Sequence, residues 1–215
     1  MSDSVLAHRI IAELYEQDAD YENAIKVSES GLELVRRVEQ NWGRPLKKWA
    51  NGNTSPLSIA DIFPCRTTKA FNVILATSLV HYFPPKNHTR ALRIVDEVLV
   101  EDPDNIQALL ARGFILQHAK KWADAAEVFA RVAKLDPEGL DHGLRAQEEH
   151  AWSEANFGEL QAAADELRDV IAVQDQLEGR EEDKARAWWR LGRCLWEMGG
   201  ERHIYSSACA SEIPC

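Results

Sequence analysis

Thirty-four residues separate Pro103 from Pro137, and the same interval separates Asp102 from Asp136, Ala91 from Ala125, Leu79 from Gly113 and Tyr82 from Leu116. A fixed interval of that size, closed each time by an Asp-Pro pair, marks a stacked array whose unit is two antiparallel helices. Neither helix of such a pair can bury its apolar face alone, so each unit uses the next as its missing wall. The expected fold class is all-α, an α-solenoid of stacked antiparallel helix pairs. Function should then lie in a surface and not in a catalytic pocket.

The array is expected over 1–200. Its first unit, about 5–37, places Ile11, Ala12 and Tyr15 inward on one helix and Ala24, Ile25 and Leu32 on the other, split by a turn at Asp18-Ala19-Asp20-Tyr21. Ala12 and Ala24 mark the closest approach of the two helices, where a larger side chain would overpack at about 1 to 3 kcal/mol. The second unit, 67–103, pairs helices over 67–83 and 89–100, and Pro84-Pro85 ends the first because proline lacks the amide hydrogen. The third, 105–138, is the most regular: Leu109, Gly113 and Leu116 on a helix over 105–119 face Ala125, Phe129 and Val132 on a helix over 122–135. Glycine inside a helix costs about 1 kcal/mol relative to alanine, so Gly113 is expected to lie against another backbone. The fourth, 140–174, pairs helices over 140–156 and 160–174, with Ala163, Leu167, Val170 and Ile171 inward. A half unit, 185–199, puts Trp188, Leu191, Gly192 and Leu195 on the repeat positions and is expected to stop at Gly199-Gly200.

Two stretches break the period. The insertion 41–65 carries Pro45, Pro56 and Pro64, and its polar cluster 51–56 reads as a loop. Its Trp42 and Trp49 fit either a partner-binding element or a strap folded onto neighbouring helices, the commoner fate of long ordered loops. A polar segment over 175–184 precedes the last helix, and 201–215 reads as an irregular tail without an apolar stripe. With no second helix to cover them, Trp188, Leu191, Leu195 and Trp196 should be partly wet. The pattern predicts a piece of a longer array.

Thirty-five acidic against twenty-five basic residues give a formal net charge of −10, which disfavours phosphate backbones and anionic lipid as direct ligands. The opening MSDSVLAHRI has no basic segment ahead of an apolar core, and no stretch reaches the roughly 20 apolar residues of a spanning helix. Cys65, Cys194, Cys209 and Cys215 show no C-x-x-C pairing, so neither a zinc site nor a disulfide framework is expected, and a reduced cytosolic or nuclear setting is the simplest reading.

Phosphate-loop, nucleophile-elbow and zinc-protease motifs are missing, which points away from an enzyme. No catalytic, cofactor-binding or metal residue is expected, and no partner-binding residue can be named. His150 and Glu154, one helical turn apart, would supply two of the three or four ligands zinc needs, and a helix-surface ion pair fits them better. Glu148-Glu149 and Glu181-Glu182-Asp183 read as solvated faces, Arg36-Arg37 and Lys47-Lys48 are too short to track nucleic acid, and Trp122, Trp188 and Trp196 fit repeat packing.

The 34-residue period with its Asp-Pro closures resembles the tetratricopeptide repeat, whose first helices line a groove that takes extended peptides. Chaperone-binding members of that family carry a Lys and Asn clamp for a terminal carboxylate, whereas the matching face here offers Arg9 and Glu13, then Ala76 and Val80. A peptide-binding adaptor or co-chaperone is therefore the alternative reading. The stretches HTRALRIVDEVLVEDPDNIQALLARGFILQHAKKWADAAEVFARV and ARAWWRLGRCLWEMGG resemble the large repeat scaffold of fungal superkiller complexes, over about 1–200. That resemblance implies a cytosolic, non-catalytic organiser holding an RNA helicase and a WD-repeat propeller protein, which together feed RNA from its 3′ end into the exosome. The RNA chemistry would belong to those partners.

Overall fold

A computed structural model describes residues 4–49, 59–137, 142–177 and 180–209, with side chains at 4–38, 40, 67–137, 142–177 and 180–199. The described residues form helices α1 (Val5–Gln17), α2 (Tyr21–Trp49), α3 (Ile59–His81), α4 (His88–Glu101), α5 (Ile106–His118), α6 (Trp122–Leu135), α7 (Gly143–Phe157), α8 (Leu160–Gln176) and α9 (Glu181–Cys209), with no strand among them. The all-α class holds. Two units divide the chain, residues 1–111 and 112–215.

Three hairpin turns share one device. The amide of Asp20 reaches back to the Tyr15 carbonyl at 2.8 Å, that of Lys121 to Leu116 at 2.9 Å and that of Glu159 to Glu154 at 3.0 Å, the wrapped closure that satisfies the last carbonyls of a helix. Each places one residue in the left-handed region: Ala19 at φ 57°, Lys120 at 58° and Gly158 at 118°. Glycine suits that conformation, yet alanine and lysine tolerate it in two of the three turns.

In the first unit, α1 packs on α2 and α3, α2 on α3, and α3 on α4. Ala12, Val27 and Ile74 form a core cluster flanked by Tyr15, and both Ala12 and Ala24 are fully buried. Ile11, expected inward, is exposed together with Leu6, Ile10 and Leu14, because His8 and Ala12 occupy the buried face of α1 and leave Ile11 on its flank. The expected insertion 41–65 is largely helical: α2 continues to Trp49 and α3 begins at Ile59. Leu46, Lys47 and Lys48, good helix formers, carry the backbone past Pro45. The cluster 51–56 and the side chains of Trp42, Lys47, Lys48 and Trp49 lie outside the described residues.

Asp-Pro pairs have a structural use in both units. Asp136 Oδ2 accepts hydrogen bonds from the amides of His142 at 3.0 Å and Gly143 at 2.7 Å, so the residue that ends α6 also satisfies the first amides of α7. The helix expected over 140–156 accordingly starts at Gly143, with 138–141 outside the described residues. Asp102 accepts at 3.2 Å from the Asn105 side chain, whose Oδ1 in turn accepts from the Ala108 amide at 3.0 Å.

Within the second unit α6 packs on α7, α7 on α8 and α8 on α9. Ala151, Ala155, Ala163, Ala164, Leu167, Ile171, Ala187, Leu191 and Cys194 make its core cluster, so small residues draw these helices together. What lies against Gly113 is a ring and not a backbone: a Cβ there would come within 2.5 Å of Phe129 Cζ. Gly31 meets the Phe71 ring in the same way. The polar segment over 175–184 is shorter than expected, since Glu181, Glu182 and Asp183 form the first turn of α9, where negative charge complements the helix dipole. The expected stop at Gly199-Gly200 and the irregular tail over 201–215 also give way, because α9 passes through both glycines to Cys209 and 210–215 lie outside the described residues. Glycine weakens a helix by about 1 kcal/mol and ends it where the chain turns left-handed, as it does at Gly158.

Candidate functional site

The second unit contains an ion network that overturns one sequence expectation. Glu148 and Glu149 on α7 are not solvated; their side chains are 1% exposed. Arg186 grips Glu148 with two parallel bonds, Nε to Oε1 at 2.7 Å and Nη2 to Oε2 at 2.8 Å, and Arg190 Nη1 lies 2.9 Å from Glu148 Oε1. Arg190 Nη2 donates to both Glu149 oxygens at 3.1 Å, Arg145 Nη2 lies 2.9 Å from Oε1, and Gln117 donates to Oε2 at 3.2 Å. Burial alone would push the Glu149 carboxyl up, but the charges of Arg190 and Arg145 and the bonds from Arg190 and Gln117 hold it below the ordinary carboxylate range. Asp183 accepts from Arg186 Nη2 at 2.7 Å, so three carboxylates balance three guanidiniums. Glu181 and Glu182 are exposed, as expected.

The network seats an aromatic and cationic face on α7 and α9. Arg190 lies 5.2 Å and Arg193 4.8 Å from the centroid of Trp152, and Trp189 meets Trp152 at 5.6 Å with a 48° tilt. Trp189, Arg193 and Trp196 follow one another at i, i+4 and i+7 on α9, and both tryptophans are more than half exposed. Arg193 also pairs with Glu197 at 2.7 Å. A shallow dent between Trp152, Ala155, Asn156, Arg193, Cys194 and Glu197 encloses essentially no volume, against the roughly 300 to 1,000 Å³ of a cofactor pocket. What remains is a surface on which guanidinium and indole planes can receive a protein segment.

His150 gains a second acidic neighbour from α8. Its Nδ1 lies 2.7 Å from Glu166 Oε2 and its Nε2 3.6 Å from Glu154 Oε1, and one ligand atom from each of the three residues falls within 4.8 Å of the others. The sequence offered only the pair on α7, since Glu166 sits on the facing helix. The carboxylates lie at opposite nitrogens of the ring, the arrangement of an imidazolium bridging two helices. The hydrogen bond to Glu166 raises the His150 pKa above its ordinary value. A raised histidine stabilises the fold below the unfolded value of about 6.5 and loses that contribution as pH climbs through the folded one. Thermal melts are therefore expected to show the chain losing stability above pH 6.5, and His150→Gln should flatten that slope.

In the first unit burial pushes the Glu16 carboxyl up to about 7. The side-chain hydrogen bond with Thr77 favours the ionised form and opposes this shift, and the charge of Glu13 adds to it. A raised carboxyl stabilises the ionised form less in the folded state, so the cost grows from pH 4.5 upward and is complete above 7. Glu16→Gln should add about 1 to 2 kcal/mol at pH 8, with partial solvent screening allowed for, and nothing at pH 4, in urea unfolding at the two pH values.

Of the residues weighed for a carboxylate clamp, Arg9 pairs with Glu13 at 3.1 Å, while Ala76 and Val80 are buried and take no part in a surface. Arg36 and Arg37 are exposed beside Glu33. Trp188, Leu195 and Trp196 are 56%, 43% and 76% exposed, as expected of a helix without a covering partner, whereas Leu191, expected to be partly wet as well, is buried against α8. Among the described residues no helix is long and apolar enough to cross a membrane.

A family model described as tetratricopeptide repeat matches residues 87–139 and 148–200. Superkiller protein 3 of Saccharomyces cerevisiae is 29% identical over 191 residues, covering 88% of this chain and 12% of that protein. Superkiller protein 3 of Schizosaccharomyces pombe is 25% identical over 207 residues, covering 96% of this chain and 13% of that protein. The chain thus spans about an eighth of the length of these relatives. Among solved structures, a Podosopora anserina putative kinesin light chain with nearly identical TPR-like repeats superposes with a TM-score of 0.57 at 16% identity, covering 95% of this chain and 91% of that one. Its Q17M variant gives the same TM-score over 98% and 94%. At that identity the likeness speaks for the fold alone. Period, turns, helix pairing and these matches together make the chain a tetratricopeptide-repeat protein, similar over most of its length to a part of the fungal Superkiller protein 3.

Proposed function

We propose that the chain is a non-catalytic protein-protein interaction scaffold within a superkiller-type complex that supports exosome-dependent 3′-to-5′ decay of cytoplasmic mRNA. The observation that carries this reading is similarity to Superkiller protein 3 from two fungi across nearly the whole chain. Its partners would be an RNA helicase and a WD-repeat propeller protein. The face of Trp152, Trp189, Arg193 and Trp196 is the surface best suited to one of them, since exposed tryptophan and arginine dominate binding energy at protein interfaces. Direct RNA binding fits the chain poorly: its balance is −10, and the arginines beside Trp152 are engaged with glutamates.

A tagged chain used as bait in a Saccharomyces cerevisiae lysate tests the proposal. Helicase and WD-repeat protein are expected to co-purify, and the double variant Trp189→Ala, Arg193→Ala should recover markedly less of at least one. Recovery of a chaperone in their place would favour a peptide-binding adaptor or co-chaperone, and recovery of neither would remove the scaffold reading.

A further inference from the structure

The outer face of α9 repeats a sequence pattern of α5, the helix whose Gly113 receives a ring of α6. Trp188, Gly192 and Leu195 stand at i, i+4 and i+7, the spacing of Leu109, Gly113 and Leu116 on α5. At Gly113 the missing side chain makes room for the Phe129 ring of α6, so close that a Cβ would lie 2.5 Å from it. At Gly192 a Cβ would meet nothing within 4 Å, and the flanking Trp188 and Leu195 are 56% and 43% exposed. Among the described residues none turns back to cover this face: α9 runs on as one helix to Cys209.

We propose that Trp188, Gly192 and Leu195 form a seat for an amphipathic helix of a partner protein, one presenting Ala-x-x-x-Phe-x-x-Val with its phenylalanine over Gly192. The occupant is read from the internal repeat, because Ala125, Phe129 and Val132 carry that spacing on α6. A second copy of the folded chain cannot supply it, since those three side chains are fully buried. The exposed stripe of α1, Leu6, Ile10 and Leu14, runs at i, i+4 and i+8 and offers no aromatic knob. The inference rests on the scaffold reading only in taking the occupant to be a protein.

The probe is a fluorescein-labelled peptide of the α6 sequence WADAAEVFARVAKL, held helical by a staple on the side away from Ala125, Phe129 and Val132, and titrated with the whole chain by anisotropy. Saturable binding is expected, weakened about tenfold or more by Phe129→Ala in the peptide and by Gly192→Leu in the chain, which fills the depression from within. Gly192 is exposed on a helix, so the variant should keep its circular dichroism and melting temperature. Trp188→Gln gives a second, independent loss. Absent saturation, or affinities indifferent to these changes, would overturn the inference. So would a dimer in sedimentation that Gly192→Leu abolishes, because the face would then belong to a second copy. The helicase pull-down does not involve this peptide, so its success beside a failed titration would leave the scaffold standing and remove only the seat.

Discussion

Glu149→Ala is expected to lower the unfolding free energy by about 3 to 5 kcal/mol, a third or more of what a domain of this size usually holds. Two guanidiniums converge on that carboxylate, Arg190 and Arg145, and Arg190 is itself buried. Removing the glutamate leaves their charge facing a low-dielectric interior, and takes from the Gln117 amide one of its three acceptors, the others being the carbonyl of residue 149 and Ser153 Oγ. The pair is not thereby a large net source of stability, because taking both charges out of water costs about as much as their attraction returns. Arg190→Met combined with Glu149→Leu should therefore recover part of the loss in urea unfolding followed by tryptophan fluorescence, the remainder reflecting Arg145, which keeps its charge, and Glu148, which loses one of its two guanidiniums. A double variant as unstable as the single one would show instead that the ion pair stabilises the fold outright.

This network was illegible as such in the sequence, and the reason is distance along the chain. Arg145 lies one turn before Glu149, but the other two arginines, Arg186 and Arg190, come 38 to 42 residues after the glutamates, on a helix separated from α7 by the whole of α8. Local charge patterning treats two adjacent glutamates on a helix as solvated, and nothing within one turn contradicts it. A signal did exist. The glutamates stand in phase with the small residues Ala146 and Ala151, and Arg186 and Arg190 flank Ala187, so both pairs lie along stripes that pack. The helix pairs were legible because their information is local and repeated: α6 begins and ends where the spacing placed it, at Trp122 and Leu135. Element ends set by contacts were not, as at Gly143, whose amide is held by Asp136 seven residues earlier, and at Gly199, where glycine did not end the helix. For the surface of Trp152, Trp189 and Arg193 the sequence supplied the residues but not their meeting, which depends on two first helices lying side by side.

Phe129→Ala is expected to cost about 3 to 5 kcal/mol, because it removes a fully buried ring that fills the space left by Gly113 and meets Phe114 edge-on at 5.5 Å. The coupling between the two positions is the sharper test. Gly113→Ala alone should also destabilise, by about 1 to 3 kcal/mol, since its new methyl would fall within 2.5 Å of the Phe129 ring, outweighing the propensity alanine gains in a helix. Joined to Phe129→Leu, which withdraws the far end of the ring, the same alanine finds room and partly fills the hole. The double-mutant cycle over Gly113→Ala and Phe129→Leu should accordingly show a favourable interaction of about 0.5 to 3 kcal/mol. Simple additivity would mean that the ring does not sit over the glycine in solution, and the hairpin of α5 and α6 would then be held together elsewhere.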